Sequence, residues 1–251
     1  MLNKSVQKTS VKTDDISTEM LVMKDNALVM ASYYLSVEEQ RLILACIEKA
    51  QRQKKHLETQ PISISLNVQE YAKLYNVKMG TAYKALSRSS DKLYERSVRM
   101  DDEGTIRQVR WLQEKATYDS GKIDLVFSST ISKHIQDIAS ERTTFRLEQA
   151  TQLRTQHSIR MFEILNMVIN SPHQEGVWEV SVARLKELFE IEDSYDRWVD
   201  FKRKVVEGTV QQINKNTSLK VSWEVAGKSG KSITKLRFFV FESSQLSLGL
   251  T

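Results

Sequence analysis

The sequence predicts an α+β fold of two tandem winged-helix domains, winged helix-turn-helix units related by an internal repeat. Three observations lead there. The chain has 251 residues, beyond the usual single-domain length of ~100–200, so its core has to be divided. The segment Ser65-Leu66-Asn67-Val68-Gln69-Glu70-Tyr71-Ala72-Lys73-Leu74-Tyr75-Asn76-Val77 is echoed 114 positions later by Glu179-Val180-Ser181-Val182-Ala183-Arg184-Leu185-Lys186-Glu187-Leu188-Phe189-Glu190-Ile191, and the apolar positions coincide throughout. Each copy then continues into a longer helical pattern and alternating strands, giving the order strand, helix, turn, helix, hairpin.

Each element has its own signal. Alternation at Ile62, Ile64 and Leu66, and again at Trp178 and Val180, predicts a short strand opening each copy. Asn67 and Ser181 follow as N-caps of two-turn amphipathic helices. The second helix of each copy runs from Met79 to about Glu95 and from about Arg197 to Asn214. Hairpins are expected from Ser97–Met100 with Thr105–Trp111, and from Leu219–Val225 with Ser232–Phe241. A leading helix precedes each copy: Ser36 and Glu39 form an S-x-x-E capping box for Val37 to about Gln53, and Gln156 to Asn170 is apolar along one side. Pro61 and Pro172 fall just ahead of the opening strands, where a missing backbone N–H is tolerated. The helical stretch Ile131 to Gln149 is read as closing the first domain. The expected organisation is a flexible arm over 1–24, a first winged-helix domain over 25–152 and a second over 153–251.

Apolar residues make up 40% and charged residues 27%, an ordinary composition for a globular protein. No apolar run reaches the ~18 residues of a bilayer span, and the N-terminus lacks the compact apolar segment of a signal peptide. The single cysteine, Cys46, sits among Leu44, Ala45 and Ile47, as expected of a buried thiol in a reducing cytoplasm. The net charge of +5 is modest, but residues 197–237 hold ten Lys or Arg against three acids, a local +7. Such a concentration points to nucleic acid.

Within that segment, steps of ~100° place Trp198, Phe201, Val205, Thr209 and Ile213 on one side of the second helix, with Arg203 and Lys204 roughly opposite and Lys202 nearer the buried side. The N-terminal end of such a helix enters the major groove. Arginine there can read guanine bidentately, while lysine serves equally for phosphate. Gly227-Lys228-Ser229-Gly230-Lys231-Ser232 has the look of a phosphate loop but lacks the earlier glycine and the following helix, so Lys228 and Lys231 are read as the tip of a wing. In the first copy Lys78, Thr81, Lys84 and Arg88 form the corresponding polar side, with Tyr83, Leu86 and Leu93 expected inside. Auxiliary DNA contact and a face given over to protein–protein contact both fit that side.

No catalytic or metal site is expected. His56, His134, His157 and His173 are scattered without ligand spacing, and adjacent Tyr33 and Tyr34 read as packing residues. No cofactor loop is present. A transcriptional repressor with this DNA-binding apparatus fits these features, and a nicking replication enzyme is left as the weaker alternative by the lack of a metal-holding histidine pair.

Three segments resemble a known family. Val22-Met23-Lys24-Asp25-Asn26-Ala27-Leu28 with Ala31-Ser32-Tyr33-Tyr34-Leu35 and Glu39-Gln40-Arg41-Leu42-Ile43-Leu44 is similar to the opening of the RepA/RepB/RepE-type initiators of iteron-containing bacterial plasmids. Ser158-Ile159-Arg160-Met161-Phe162-Glu163-Ile164-Leu165 resembles the start of their second domain, and Tyr195 to Arg203 with Gln212-Ile213-Asn214 resembles their DNA-reading helix. The resemblance covers about residues 20–241. It implies two winged-helix domains, binding to directly repeated origin sequences, origin opening with host DnaA, recruitment of the DnaB helicase, and autorepression by dimers formed through the first domain in equilibrium with monomers. Carried over by position, Arg203 is the leading base contact, with Arg197, Lys202 and Lys204 beside it.

Overall fold

The structure, a computed structural model, describes residues 20–53, 61–102, 104–136, 141–171 and 176–243. Its first half runs β1 (Leu21–Asp25), α1 (Asn26–Val29), α2 (Val37–Arg52), β2 (Ser63–Asn67), α3 (Val68–Tyr75), α4 (Met79–Glu95), β3 (Ser97–Asp102), β4 (Thr105–Arg110), β5 (Leu112–Thr117), β6 (Lys122–Phe127), α5 (Ser129–Gln136), β7 (Arg142–Arg146) and α6 (Leu147–Thr151). The second runs α7 (Gln156–Asn170), β8 (Val177–Ser181), α8 (Val182–Leu188), α9 (Trp198–Phe201), a π-helical segment (Lys202–Glu207), α10 (Gly208–Asn216), β9 (Leu219–Ser229) and β10 (Ser232–Glu242).

The repeat is real in three dimensions. One sheet has the order β2-β6-β5 and another β8-β10-β9, all antiparallel, so in each copy the opening strand pairs with the last strand of the wing. The helices between them begin as the sequence predicts: Asn67 accepts from the Glu70 amide at 2.8 Å and Ser181 from the Arg184 amide at 3.0 Å. They also stop alike. Asn76 and Glu190, 114 positions apart, both take the left-handed conformation (φ 48° and 49°). Asparagine is suited to such a stop, whereas a glutamate is not.

Three expectations are corrected. The hairpin β3–β4 forms, but it is a separate two-stranded ribbon and not the wing of the first domain, which is β5–β6. The reason is apolar alternation: β6 buries Ile123, Leu125 and Phe127 against Ile64 and Leu66 of β2, while β4 is polar and leaves Ile106 62% exposed. Gly121 makes the β5–β6 turn, with φ +78° and the Cγ2 of Val68 only 2.7 Å from where a Cβ would stand. Next, the helical stretch Ile131 to Gln149 is broken by β7, in which the β-branched Thr143 and then Phe145 alternate inward and pair with β1. Finally, the arm expected over 1–24 is shorter, because Leu21 to Lys24 already lie in β1 with Val22 and Lys24 buried. Pro172 lies outside the described residues.

Helix α7 joins the halves. It packs on β7, α1 and α2 on one side and on α10, β8 and β10 on the other, so its residues are buried nearly all round, as befits a core helix. Its charged residues are buried too. Lys24 Nζ donates to Glu163 Oε1 at 2.9 Å and to the Tyr33 hydroxyl at 3.1 Å. Arg160 donates from Nη1 to Glu163 Oε2 (2.8 Å) and Tyr33 (2.6 Å), and from Nη2 to the carbonyls of Val29 and Ala31. Its guanidinium lies 3.8 Å over the Tyr33 ring. Burial pushes the Glu163 carboxyl up, but Lys24 and Arg160 outweigh it and hold the group below the usual range.

His157, near the start of α7, is stacked on Phe189 with ring centroids 5.5 Å apart, its Nε2 3.4 Å from the Tyr195 hydroxyl. Burial lowers its pKa to about 4.

Two measurements probe this helix. Glu163→Gln strands two buried cations and is expected to cost about 3–5 kcal/mol in urea unfolding. Lys115→Ala, which breaks only the more exposed pair with Asp91, should cost less than ~1 kcal/mol. Because the folded His157 resists protonation, its stabilising effect is complete above the unfolded pKa of about 6.5 and is lost as pH falls toward 4. By pH 4 that loss is about 3 kcal/mol. Unfolding free energies of the wild type and His157→Phe at pH 7 and 4.5 should therefore diverge, the variant showing the flatter profile.

Candidate nucleic-acid interface

The helix read as DNA-facing is α9, the π-helical segment and α10 in continuous succession. Phe201, Val205, Thr209 and Ile213 are all buried, as spaced in the sequence, and Val206 and Val210 join them. A regular α-helix drifts by ~40° every four residues; the wider i→i+5 turn of the π segment helps keep this four-residue series on one side. Trp198 is half-buried and tilted against Phe201 at 5.9 Å between centroids.

The basic residues separate into two kinds. Arg197 and Arg203, 80% and 66% exposed, both reach Asp200: Arg197 donates from Nε and Nη2 at 2.8 and 2.6 Å, and Arg203 from Nη2 at 3.2 Å. The Arg197 hydrogen bond, foremost, holds the Asp200 carboxyl below the usual carboxylate range. Asp200 thus orders both guanidinium groups, a role that helical spacing alone does not reveal. Lys202 turns the other way, pairing with Glu207 at 3.1 Å and lying 5.9 Å over the Trp223 ring of β9. Lys204 is exposed, 5.9 Å over the Tyr195 ring.

The wing is longer than expected. Strands β9 and β10 continue to Ser229 and Ser232, leaving a two-residue turn, Gly230-Lys231, with Gly230 at φ 58° in the position such a hairpin reserves for glycine. Lys228 and Lys231 are exposed there and make no ion pair among the described residues. Nearer the sheet, Arg237 is clamped between Glu179 and Glu224 at 2.8 Å each.

In the first half, Lys78, Thr81, Lys84 and Arg88 are all exposed. Ala82, Ala85, Leu86, Ser89, Ser90 and Leu93 form the inner face of α4. Tyr83, expected inside, is 47% exposed, because it falls about 100° round the helix from Ala82. It faces the Gly121 turn instead.

Among the described residues no group of three His, Cys, Asp or Glu could hold a metal, and no helix is long and apolar enough to cross a membrane. His134 pairs with Asp25 at 3.0 Å; His56 and His173 lie outside the described residues. Cys46 is buried, and that burial raises its thiol pKa to about 12. Tyr33 is the packing residue expected, edge-on to Trp111 at 5.1 Å, and it is also the centre of the buried polar network.

Comparison with known proteins agrees with this geometry. The family described as "Initiator Replication protein, WH1" matches residues 21–166, and "Initiator Rep protein, WH2" matches residues 181–240. A replication initiation protein of Escherichia coli is 23% identical over 235 residues, covering 92% of this chain and 72% of the relative. An uncharacterized 27.6 kDa protein of Escherichia coli is 24% identical over 234 residues, covering 86% and 93%. The crystal structure of Pi initiator protein in complex with iteron DNA superposes with a TM-score of 0.69 at 19% identity, covering 90% of this chain and 99% of that one. The chain belongs to the initiator replication protein family, DNA-binding initiators built from two winged-helix domains.

Proposed function

We propose that this initiator reads directly repeated origin sequences, iterons, in double-stranded DNA, and that its second domain, residues 153–251, is the principal reader. The observation that carries the reading is the Arg197–Asp200–Arg203 arrangement at the exposed start of the reading helix, beside a wing whose Lys228 and Lys231 make no ion pair among the described residues. Ordered arginine forks suit guanine edges, and mobile lysines suit phosphates. The solved relative bound to iteron DNA has the same fold. Lys202 and Lys204 flank the arginines, and Lys78, Thr81, Lys84 and Arg88 on α4 supply auxiliary backbone contacts from the first domain.

In this reading monomers bind the repeats in a bacterial cytoplasm, open the origin with DnaA and recruit DnaB, while dimers repress the initiator's own gene. The first domain, residues 25–152, supplies the dimer contact. What supports that is the ribbon: among the described residues β4 pairs as a strand with β3 alone, and it exposes Ile106. The edge of a ribbon is a template for a second strand.

Binding should be steeply salt-dependent, falling by about 10³–10⁵ between 50 and 200 mM if 6–10 phosphates are contacted. Arg203→Ala is expected to cost ~1–3 kcal/mol on the repeat and to lower the ratio of repeat to scrambled affinity. Lys228→Ala should weaken both duplexes alike and reduce the salt slope by about 1. Fluorescence anisotropy at fixed salt separates them; the opposite pattern would make the wing the reader. For the dimer, Ile106→Lys should shift full-length protein toward monomer in sedimentation, and an unchanged equilibrium places the contact elsewhere.

A further inference from the structure

The chain between α8 and α9 aims the reading helix, and it is under backbone strain. Two non-glycine residues there, Glu190 (φ 49°) and Tyr195 (φ 59°), occupy the left-handed region, where residues bearing a Cβ persist only when their surroundings hold them. Part of the hold is local. Lys186 on α8 donates from Nζ to the carbonyls of Ser194 and Tyr195 at 2.7 and 3.2 Å, and the Tyr195 hydroxyl meets His157 at 3.4 Å.

The rest comes from the other half of the molecule. Arg99 on β3 donates from Nε to Glu190 Oε1 at 3.0 Å and from Nη2 to Glu192 Oε1 at 2.7 Å. Its own backbone is tied down, exchanging two 2.9 Å hydrogen bonds with Ser32. Arg184 of α8 returns the contact, donating to the Met30 carbonyl at 3.2 Å. A cleft of about 110 Å³ lies between these parts, lined by Ser32, Arg99 and Ile106 on one side and Arg184 and Glu187 on the other.

We propose that Arg99 is a positioning residue for DNA reading: from the first domain it holds the turn that aims Arg197 and Arg203 of the second. The inference rests on the reading of the second domain given above. It extends that reading, because the discrimination of one domain becomes dependent on a side chain of the other. The ion pairs are partly exposed and contribute little to stability as such. Their effect lies in restricting where a strained turn can go.

Electrostatics gives the proposal a sign that a bystander role does not share. Glu190 and Glu192 are acids close to a face that approaches phosphates, so if they acted only through charge, neutralising them would tighten every duplex. Positioning requires the reverse for the preferred duplex.

The test uses the full chain, a duplex selected for binding from a random pool, and a scrambled duplex of the same composition. Arg99→Gln, the pair Glu190→Gln with Glu192→Gln, and the triple variant are each expected to lower the affinity ratio on the order of five- to tenfold. The triple should be no worse than either alone, since all three remove one interaction. The salt slope should stay that of the wild type, and thermal unfolding should stay close to it. Additive losses, tighter binding by the acid pair variant, or an unchanged ratio overturns the proposal. So does a salt slope reduced by about 1 in Arg99→Gln, which would make Arg99 itself a phosphate contact. If Arg99→Gln folds poorly, the acid pair variant decides alone. A wild type with equal affinity for both duplexes overturns the functional reading first, and is distinguishable because no variant is then needed to see it.

Discussion

A buried charge cluster fastens helix α7 to the first half of the molecule. Lys24, Tyr33, Arg160 and Glu163 are each no more than 3% exposed, and two cations share one carboxylate. Burying ions costs several kcal/mol apiece unless their bonds are nearly all made. Here they are, apart from the Arg160 Nε, which has no partner among the described residues. Lys24 belongs to β1 and Tyr33 to the loop before α2, while Arg160 and Glu163 stand one turn apart on α7. Any separation of α7 from the first domain would expose an incomplete cluster. The alternatives to the assembled state are thereby made expensive, a property a purely apolar contact has to a lesser degree.

The repeat was legible because it is written in apolar spacing, the strongest local signal. Both opening strands, both two-turn helices and their caps follow from it. The ribbon was misread for the same reason: Ser97 to Arg110 does form a hairpin, and nothing local says that the sheet's partner is a later one. Pairing is decided by which strand brings a buried face to β2, and β6 does so from more than fifty positions away. Likewise β7 was lost inside a helical pattern because its partner β1 lay in a segment taken for an arm. Strand identity here is a tertiary property.

The exposed placement of the candidate residues was legible, and their pairing less so. The exposed side of the reading helix, with Arg203 and Lys204, follows from 3.6-residue geometry. That Asp200 gathers Arg197 and Arg203, or that Lys202 turns to Glu207 and Trp223, does not, since such choices are made by rotamers and neighbours. The buried Lys24 was beyond reach altogether: a lysine ordinarily reads as solvated, and its ionic partner Glu163 lies 139 positions on.

The local charge excess also changes meaning once folded. Of the ten basic residues between 197 and 237, Arg197, Lys202, Arg203, Lys235 and Arg237 are engaged with acids. The remaining five, Lys204, Lys215, Lys220, Lys228 and Lys231, make no ion pair among the described residues. Paired arginines keep their charge but lose freedom, so less entropy remains to be lost in any further contact they make. Lys220 donates to the Asn214 carbonyl at 2.8 Å and Lys204 lies over the Tyr195 ring, while Lys228 and Lys231 are exposed at the hairpin tip, as suits contact with phosphates that offer many equivalent positions. One basic segment thus divides into a part held by acids and a part without ion pairs among the described residues. The division is drawn by four acids, Asp200, Glu207 and Glu224 within the segment and Glu179 outside it, whose placement a net charge does not record.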